Sequence, residues 1–386
     1  MAEDWQQGGF GLYLHWPFCE AKCPYCDFNS HVAREIDQSA WAEAYLREID
    51  RYADLLPGRV LHSVFFGGGT PSLMNPDVVA AIIERIRDRW PVANDLEITL
   101  EANPGSVEAG RFRGFADAGV SRVSMGVQAL NDADLRRLGR IHTVAEARQA
   151  FDIAKNCFDR VSFDLIYARQ DQSLDDWRAE LREALDMAVD HLSLYQLTIE
   201  EGTAFGDRYA AGKLRGLPVE DLAADMYEAT QELCGAAGMP AYEVSNHARP
   251  GSESRHNLIY WRYGDYIGIG PGAHGRITHG GIRYATEAYA SPAKWLAEAA
   301  RGVTEKRSDP LSGIEQADEY VMMGLRIWDG IDPRRYDALA GRPLSDSTIH
   351  SLQDIGMIVA TDSRIRVTDR GRMVLNTVIK EFLSGN

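Results

Sequence analysis

At 386 residues the chain is long enough for one large domain with a smaller one appended. Its 57 acidic against 41 basic residues, a formal net charge of −16, would repel a phosphate backbone, which excludes nucleic acid as a partner. Five cysteines are too few for a disulfide framework, and no stretch approaches the roughly 20 apolar residues of a membrane-spanning helix.

Residues 1–9 carry acidic side chains and no apolar run, so neither a signal peptide nor an anchor is expected and the location read from the sequence is cytoplasmic. From residue 10 to about 199, short β-branched or aromatic runs alternate with longer amphipathic stretches. Strands are predicted at 11–15, 63–66, 97–101, 122–126, 160–166 and 191–197, with helical periodicity at 41–56, 78–90 and 175–188. Six βα repeats make an α/β fold, a partial (β/α)6 TIM-type barrel, whose active site belongs at the carboxyl ends of the strands.

After residue 200 the βα rhythm fades into a Gly-rich and Tyr-rich region, and a further boundary is expected near 306–312. Helices at 314–325, 336–339 and 346–354, short strands at 357–359 and 364–368, and a last helix over 368–382 suggest a small winged-helix-like α+β module. The expected division is 1–200, 201–309 and 310–386. The last segment holds 9 basic and 11 acidic residues, so it lacks the face of a DNA reader and suits packing or partner docking.

Three cysteines fall at Cys19, Cys23 and Cys26, a C-x3-C-x2-C spacing on a loop after a strand, whereas Cys157 and Cys234 stand alone as small buried hydrophobes. Thiolates so spaced can bind three corners of a [4Fe-4S] cluster. The missing fourth ligand leaves one iron open for the amino and carboxylate groups of S-adenosylmethionine (SAM), and an electron from a reduced cluster can then cleave the sulfonium bond to a 5'-deoxyadenosyl radical. The plainer alternative is a zinc site completed by His15 or His31, which leaves the other loop motifs unexplained.

Those motifs also sit at strand ends: His15-Trp16-Pro17-Phe18-Cys19, Gly67-Gly68-Gly69-Thr70-Pro71, Glu101-Ala102-Asn103-Pro104, Gly126-Val127-Gln128 and Asp164-Leu165-Ile166-Tyr167. Together with the cysteine spacing, the run from Leu12 through Trp16 to Cys19 resembles the coproporphyrinogen oxidase-like branch of the radical SAM family. That resemblance implies a radical SAM barrel with the cluster on Cys19, Cys23 and Cys26 and Tyr25 beside the adenine. It also implies Gly68, Gly69 and Thr70 at the methionine amino group and Glu101 at the ribose and methionine. Gln128, Arg140 and Asp164 would line the same cavity, with Tyr13 near the bound SAM.

Further segments, Leu138-Gly139-Arg140-Ile141-His142 and Phe163-Asp164-Leu165-Ile166-Tyr167 among them, are similar to HemW-type haem chaperones. Phe28 stands where the oxidases carry a further cysteine, and the long N-terminal arm of the oxidases is missing. Arg255-His256-Asn257-Leu258-Ile259-Tyr260-Trp261 is similar to the HNxxYW haem-binding motif of that family. It implies His256 as an axial ligand and Asn257, Tyr260 and Trp261 as neighbours of the porphyrin. Read from its own surroundings alone, His256 is a histidine hydrogen-bonded in a polar loop, and only the resemblance makes it a ligand. The Gly-rich stretch 264–275 is expected beside the SAM site, with His247 and His274 as secondary haem contacts, and Ala168-Arg169-Gln170 departs from the family's Gly-Leu-Pro.

The resemblance as a whole implies a chaperone with a cluster, SAM and haem as cofactors. Its partners would be haem and the haemoproteins that receive it, membrane-bound respiratory enzymes included. The alternative is an oxygen-independent coproporphyrinogen III oxidase that decarboxylates its substrate to protoporphyrinogen IX.

Overall fold

The structure is a computed structural model and describes residues 3–384; residues 1, 2, 385 and 386, the outer ends of the first and last expected segments, lie outside the described residues. Eleven strands form its main sheet: β1 Phe10–Trp16, β2 Leu61–Gly68, β3 Val92–Ala102, β4 Arg122–Gln128, β5 Arg160–Tyr167, β6 His191–Gln196, β7 Asn246–Ala248, β8 Asp265–Ile269, β9 His274–His279, β10 Ile282–Ala288 and β11 Glu305–Pro310. Their order is β11-β10-β9-β8-β1-β2-β3-β4-β5-β6-β7, with its two edges unpaired to each other, so the barrel is partial. Strands β1 to β6 are the six expected repeats, all parallel.

A seventh parallel strand, β8, pairs with β1 in the register Phe10↔Asp265 to Leu14↔Ile269. It lies inside the stretch where the βα rhythm fades, and antiparallel β9, β10 and β11 extend the sheet beyond it. Gly268 and Gly275 allow the tight β8–β9 turn, since an added Cβ on Gly268 would strike His274 O.

Alternation along β1 decides which residues face the lumen. Phe10, Leu12, Leu14 and Trp16 are buried in the core between sheet and helices, while Tyr13 stacks on Phe65 of β2 across the barrel's inner face. Helices Gln38–Leu55, Pro76–Arg89, Val144–Lys155 and Leu174–Met187 cover the outside. Thr143 with Glu146 and Ser173 with Asp176 close capping boxes that fix two of the helix starts.

The C-terminal residues build a second buried core from Ala317, Tyr320, Val321, Ile331, Tyr336, Ile358, Ile365 and Phe382. Its helices are Gly313–Gly324, Pro333–Ala340 and Asp346–Asp354, followed by the hairpin Ile358–Thr361 and Arg364–Val367. The single last helix expected over 368–382 is instead two, Asp369–Arg372 and Leu375–Ser384. The chain turns between them at residues 373–374, and Gly371 brings its backbone so close to Met357 O that an added Cβ would strike it. Arg335 ties this module to the barrel through Asp4 (2.8 Å) and the carbonyls of Arg262 (2.8 Å) and Tyr263 (3.0 Å).

Candidate cofactor site

The cysteine loop leaves the carboxyl end of β1 and is closed by the short parallel pairing of Phe18–Cys19 with His31–Val32. His15 anchors its far side, with Nε2 at 2.9 Å from Asn29 O and Nδ1 at 3.0 Å from Tyr13 OH. Asn29 in turn donates to Pro271 O and Ala290 O, both at 2.9 Å, which ties the Gly-rich stretch to the cysteine loop.

One cavity of about 140 Å³ collects residues from all five strand ends. Cys19, Cys23, Tyr25, Cys26 and Phe28 come from the loop, Gly68, Gly69 and Thr70 from the end of β2, Glu101 from β3, Gln128 and Arg140 from β4 and the segment after it, and Asp164 from β5. Each thiol has a polar neighbour: Thr70 Oγ1 donates to Cys19 Sγ at 3.5 Å, Arg140 Nη1 to Cys23 Sγ at 3.3 Å, and Ser30 Oγ lies 3.9 Å from Cys26 Sγ. Such donors favour thiolates, the ligating form. Burial pushes the thiols of Cys19 and Cys26 up, so metal binding there must displace protons.

Two further features mark the cavity as a receptor. Gln128 Oε1 and Arg140 Nε are buried without a hydrogen-bond partner among the described residues. Gln128 also adopts φ 75°, a left-handed conformation uncommon for a residue with a Cβ, at the end of β4. Glu101 Oε2 accepts from Gly68 N at 3.1 Å, yet burial, and then repulsion from Asp164, push its carboxyl up to about 8. Burial likewise raises Asp164 to about 6. A buried carboxyl pair of this kind is ready to receive a cationic group. The residues therefore fit a three-thiolate cluster beside an ammonium-bearing ligand.

Tyr13 does not line that cavity; it lies below it on the lumen wall, its hydroxyl on His15. Asn103 and Ser124, absent from the sequence-derived candidates, do line it. Asn103 Oδ1 accepts from Arg140 Nη2 at 2.7 Å, and its Nδ2 donates to Thr70 Oγ1 at 3.3 Å. Its place two residues after Glu101 was the available signal; Ser124 is visible only through its register opposite Glu101.

The HNxxYW segment lies elsewhere. Helix Arg255–Trp261 crosses the opposite end of the barrel, where Arg255 N donates to Glu97 Oε1 midway along β3. His256 is 1% exposed, with Nδ1 at 2.8 Å from Ser63 Oγ and Nε2 at 2.6 Å from Tyr260 OH. Burial, helped by Arg122, lowers its pKa to about 3, and its ring stacks on Phe65 at 5.1 Å. With both nitrogens engaged, His256 as placed here does not fit an axial haem ligand. Trp261 Nε1 is buried without a partner among the described residues, near the C-terminal module.

Asn257 instead begins a polar chain through the lumen. Its Nδ2 donates to Tyr242 OH (3.2 Å), which lies 3.0 Å from His191 Nε2; Arg122 then bridges His191 Nδ1 (3.4 Å) and Ser162 Oγ (2.7 Å), and Ser162 reaches Ser124 (3.0 Å). The chain ends at Asp164, which hydrogen-bonds Ser124 and Ser193. His274 is exposed and His247 buried, and neither lines the cysteine cavity.

Comparison with known proteins agrees with this architecture. Residues 13–184 match the radical SAM superfamily and residues 311–374 the HemN C-terminal domain. The first of these domains implies SAM and a [4Fe-4S] cluster. The chain is 37% identical to the heme chaperone HemW of Haemophilus influenzae, over 97% of this chain and 97% of that protein, and 37% identical to HemW of Escherichia coli, over 97% and 98%. The structure superposes on coproporphyrinogen III oxidase (HemN) of Escherichia coli with a TM-score of 0.81 at 21% identity, covering 97% of this chain and 90% of that one. The chain belongs to the HemW haem chaperone family of radical SAM proteins.

Proposed function

We propose that this protein is a haem chaperone that carries a SAM-liganded [4Fe-4S] cluster on Cys19, Cys23 and Cys26 and passes haem to respiratory haemoproteins. The observation that carries the cofactor half is the convergence of three thiols, Arg140, Glu101 and Asp164 on one cavity. The haem half is supported by near-full-length similarity to proteins named as haem chaperones.

In this reading Arg140 and Thr70 steady the thiolates of Cys23 and Cys19. Glu101 gives up its proton to receive the ammonium of SAM, while Gly68, Gly69 and Thr70 border the methionine. Tyr25 offers its ring to the adenine, and Gln128 and Asp164 line the same cavity. When bound, the cluster and SAM supply one-electron chemistry. The division into 1–200, 201–309 and 310–386 is part of the proposal, supported by the separate C-terminal core. So is a cytoplasmic location; among the described residues no helix is long and apolar enough to cross a membrane.

A test uses anaerobically reconstituted protein with reductant, SAM and coproporphyrinogen III, haem titration in parallel, and transfer of bound haem to an apo-haemoprotein. Haem binding and transfer without decarboxylation is expected. The shared HemN fold favours the oxidase as the second reading, and protoporphyrinogen formation would establish it despite Phe28.

A further inference from the structure

Five arginines are more than nine-tenths buried: Arg122, Arg169, Arg283, Arg335 and Arg372. Three of them answer carboxylates, Arg169 with Asp134 and Glu180, and Arg283 and Arg335 with Asp4. Arg122 meets hydroxyls and an imidazole in the lumen. Arg372 differs: among the described residues it has no ion pair, and both Nε and Nη2 are buried without a hydrogen-bond partner.

Its other side is fixed. Nη1 donates to Arg326 O at 3.1 Å, and the guanidinium carbon lies 3.9 Å from the ring centroid of Trp328. The N–H groups of Nε and Nη2 project from one edge of a rigid plane, the fork that takes the two oxygens of a carboxylate side by side. Leaving that fork empty in the interior is costly, and burial pushes Arg372 below the ordinary arginine range. The carboxylates whose charge it feels do not meet it. Asp369 is exposed, and Glu243 is taken up by Val244 N, Ser245 N and Asn246 Nδ2.

Arg372 instead lines a cavity of about 370 Å³ between the barrel and the C-terminal module, which shares no residue with the cysteine cavity. Leu197, Ile199 and Leu217 give it apolar walls. Ala168, just after β5, reaches the wall at φ 58°, a left-handed conformation uncommon for a residue with a Cβ. Tyr227, on helix Glu220–Ala236, brings a hydroxyl that makes no hydrogen bond among the described residues.

We infer that this cavity binds a small monocarboxylate with a short apolar chain, its two oxygens on the Arg372 fork and its chain against the leucine and isoleucine walls. The Tyr227 hydroxyl is the further donor. A phosphate in the same place would press its remaining charged oxygens on apolar surface, which a carboxylate avoids. Because Arg372 belongs to the C-terminal module and Tyr227 to the barrel, the bound anion also clamps the two together.

The test is calorimetric titration of the full-length, cluster-reconstituted protein with hexanoate, acetate and inorganic phosphate at constant ionic strength, with Tm followed alongside. Wild type is expected to bind hexanoate saturably, acetate more weakly, and to gain Tm as hexanoate saturates. Arg372→Met should lose about tenfold or more in hexanoate affinity. Ala224→Leu, which keeps the guanidinium and fills part of the wall, should weaken hexanoate and spare acetate. Absence of saturable hexanoate binding, or an Arg372→Met protein that binds as wild type does, overturns the site. Phosphate bound more tightly than hexanoate and lost in Arg372→Met overturns the carboxylate assignment. If Arg372→Met does not fold, Ala224→Leu decides, and wild-type hexanoate affinity there overturns the proposal.

Discussion

Arg140 Nη1 and Cys23 Sγ lie 3.3 Å apart, joining two segments 117 residues distant in the chain. The same guanidinium holds Asn103 Oδ1 at 2.7 Å and Gly126 O at 2.8 Å, so one side chain connects the cysteine loop to the ends of β3 and β4. Replacing it with Met removes the donor from three part-buried acceptors, Cys23 Sγ, Asn103 Oδ1 and Gly126 O, at a cost of about 1–3 kcal/mol. Arg140→Met should lower both Tm and iron per chain, measured by calorimetry and by iron and sulfide assay after reconstitution.

Removal of any one thiol tests the ligand set directly. Cys19→Ala, Cys23→Ala and Cys26→Ala should each abolish the brown absorbance and the iron and sulfide content, while Cys157→Ala keeps them. Full cluster content in all three loop variants would refute the assignment.

Glu101 gives a pH signature. Its carboxyl is held at about 8 by burial and by Asp164, so at neutral pH it is largely protonated without ligand. An ammonium beside it lowers that pKa, so binding releases a proton and SAM affinity rises with pH, up to about tenfold per unit, levelling off above about 8. Titration calorimetry in buffers of different ionisation enthalpy should count that proton, and Glu101→Gln should erase the dependence. Stability runs the opposite way: a carboxyl raised on folding contributes fully below its unfolded pKa and loses that contribution as pH climbs to about 8. Wild type should therefore lose Tm relative to Glu101→Gln over this interval.

His256 predicts a stability effect distinct from ligation. Alanine there strips Ser63 and Tyr260 of their partner and opens a void under Phe65, which should cost about 2–4 kcal/mol. Denaturant unfolding measures this, and cluster content, formed at the other end of the barrel, should stay at the wild-type level.

Much of the site was legible because its information is local. Cys19, Cys23 and Cys26 share one loop, Gly68, Glu101 and Gln128 stand at or next to the last residue of their strands and Asp164 in the second half of β5, so a barrel delivers them to one cavity. Asn103 lay inside the Glu101-to-Pro104 motif without a role of its own, and Ser124 carried no pattern until the register set it opposite Glu101.

Local order, then, came from the chain itself: the strand periods, the capping boxes and the cysteine spacing all depend on neighbours a few residues apart. Tertiary structure decided the rest. It set β8 against β1 across some 250 residues, because strand pairing answers to the sheet and not to the intervening sequence. It also turned His256 from an apparent ligand into a sealed lumen residue between Ser63 and Tyr260, since whether an imidazole nitrogen is free depends on which distant hydroxyl the fold carries to it.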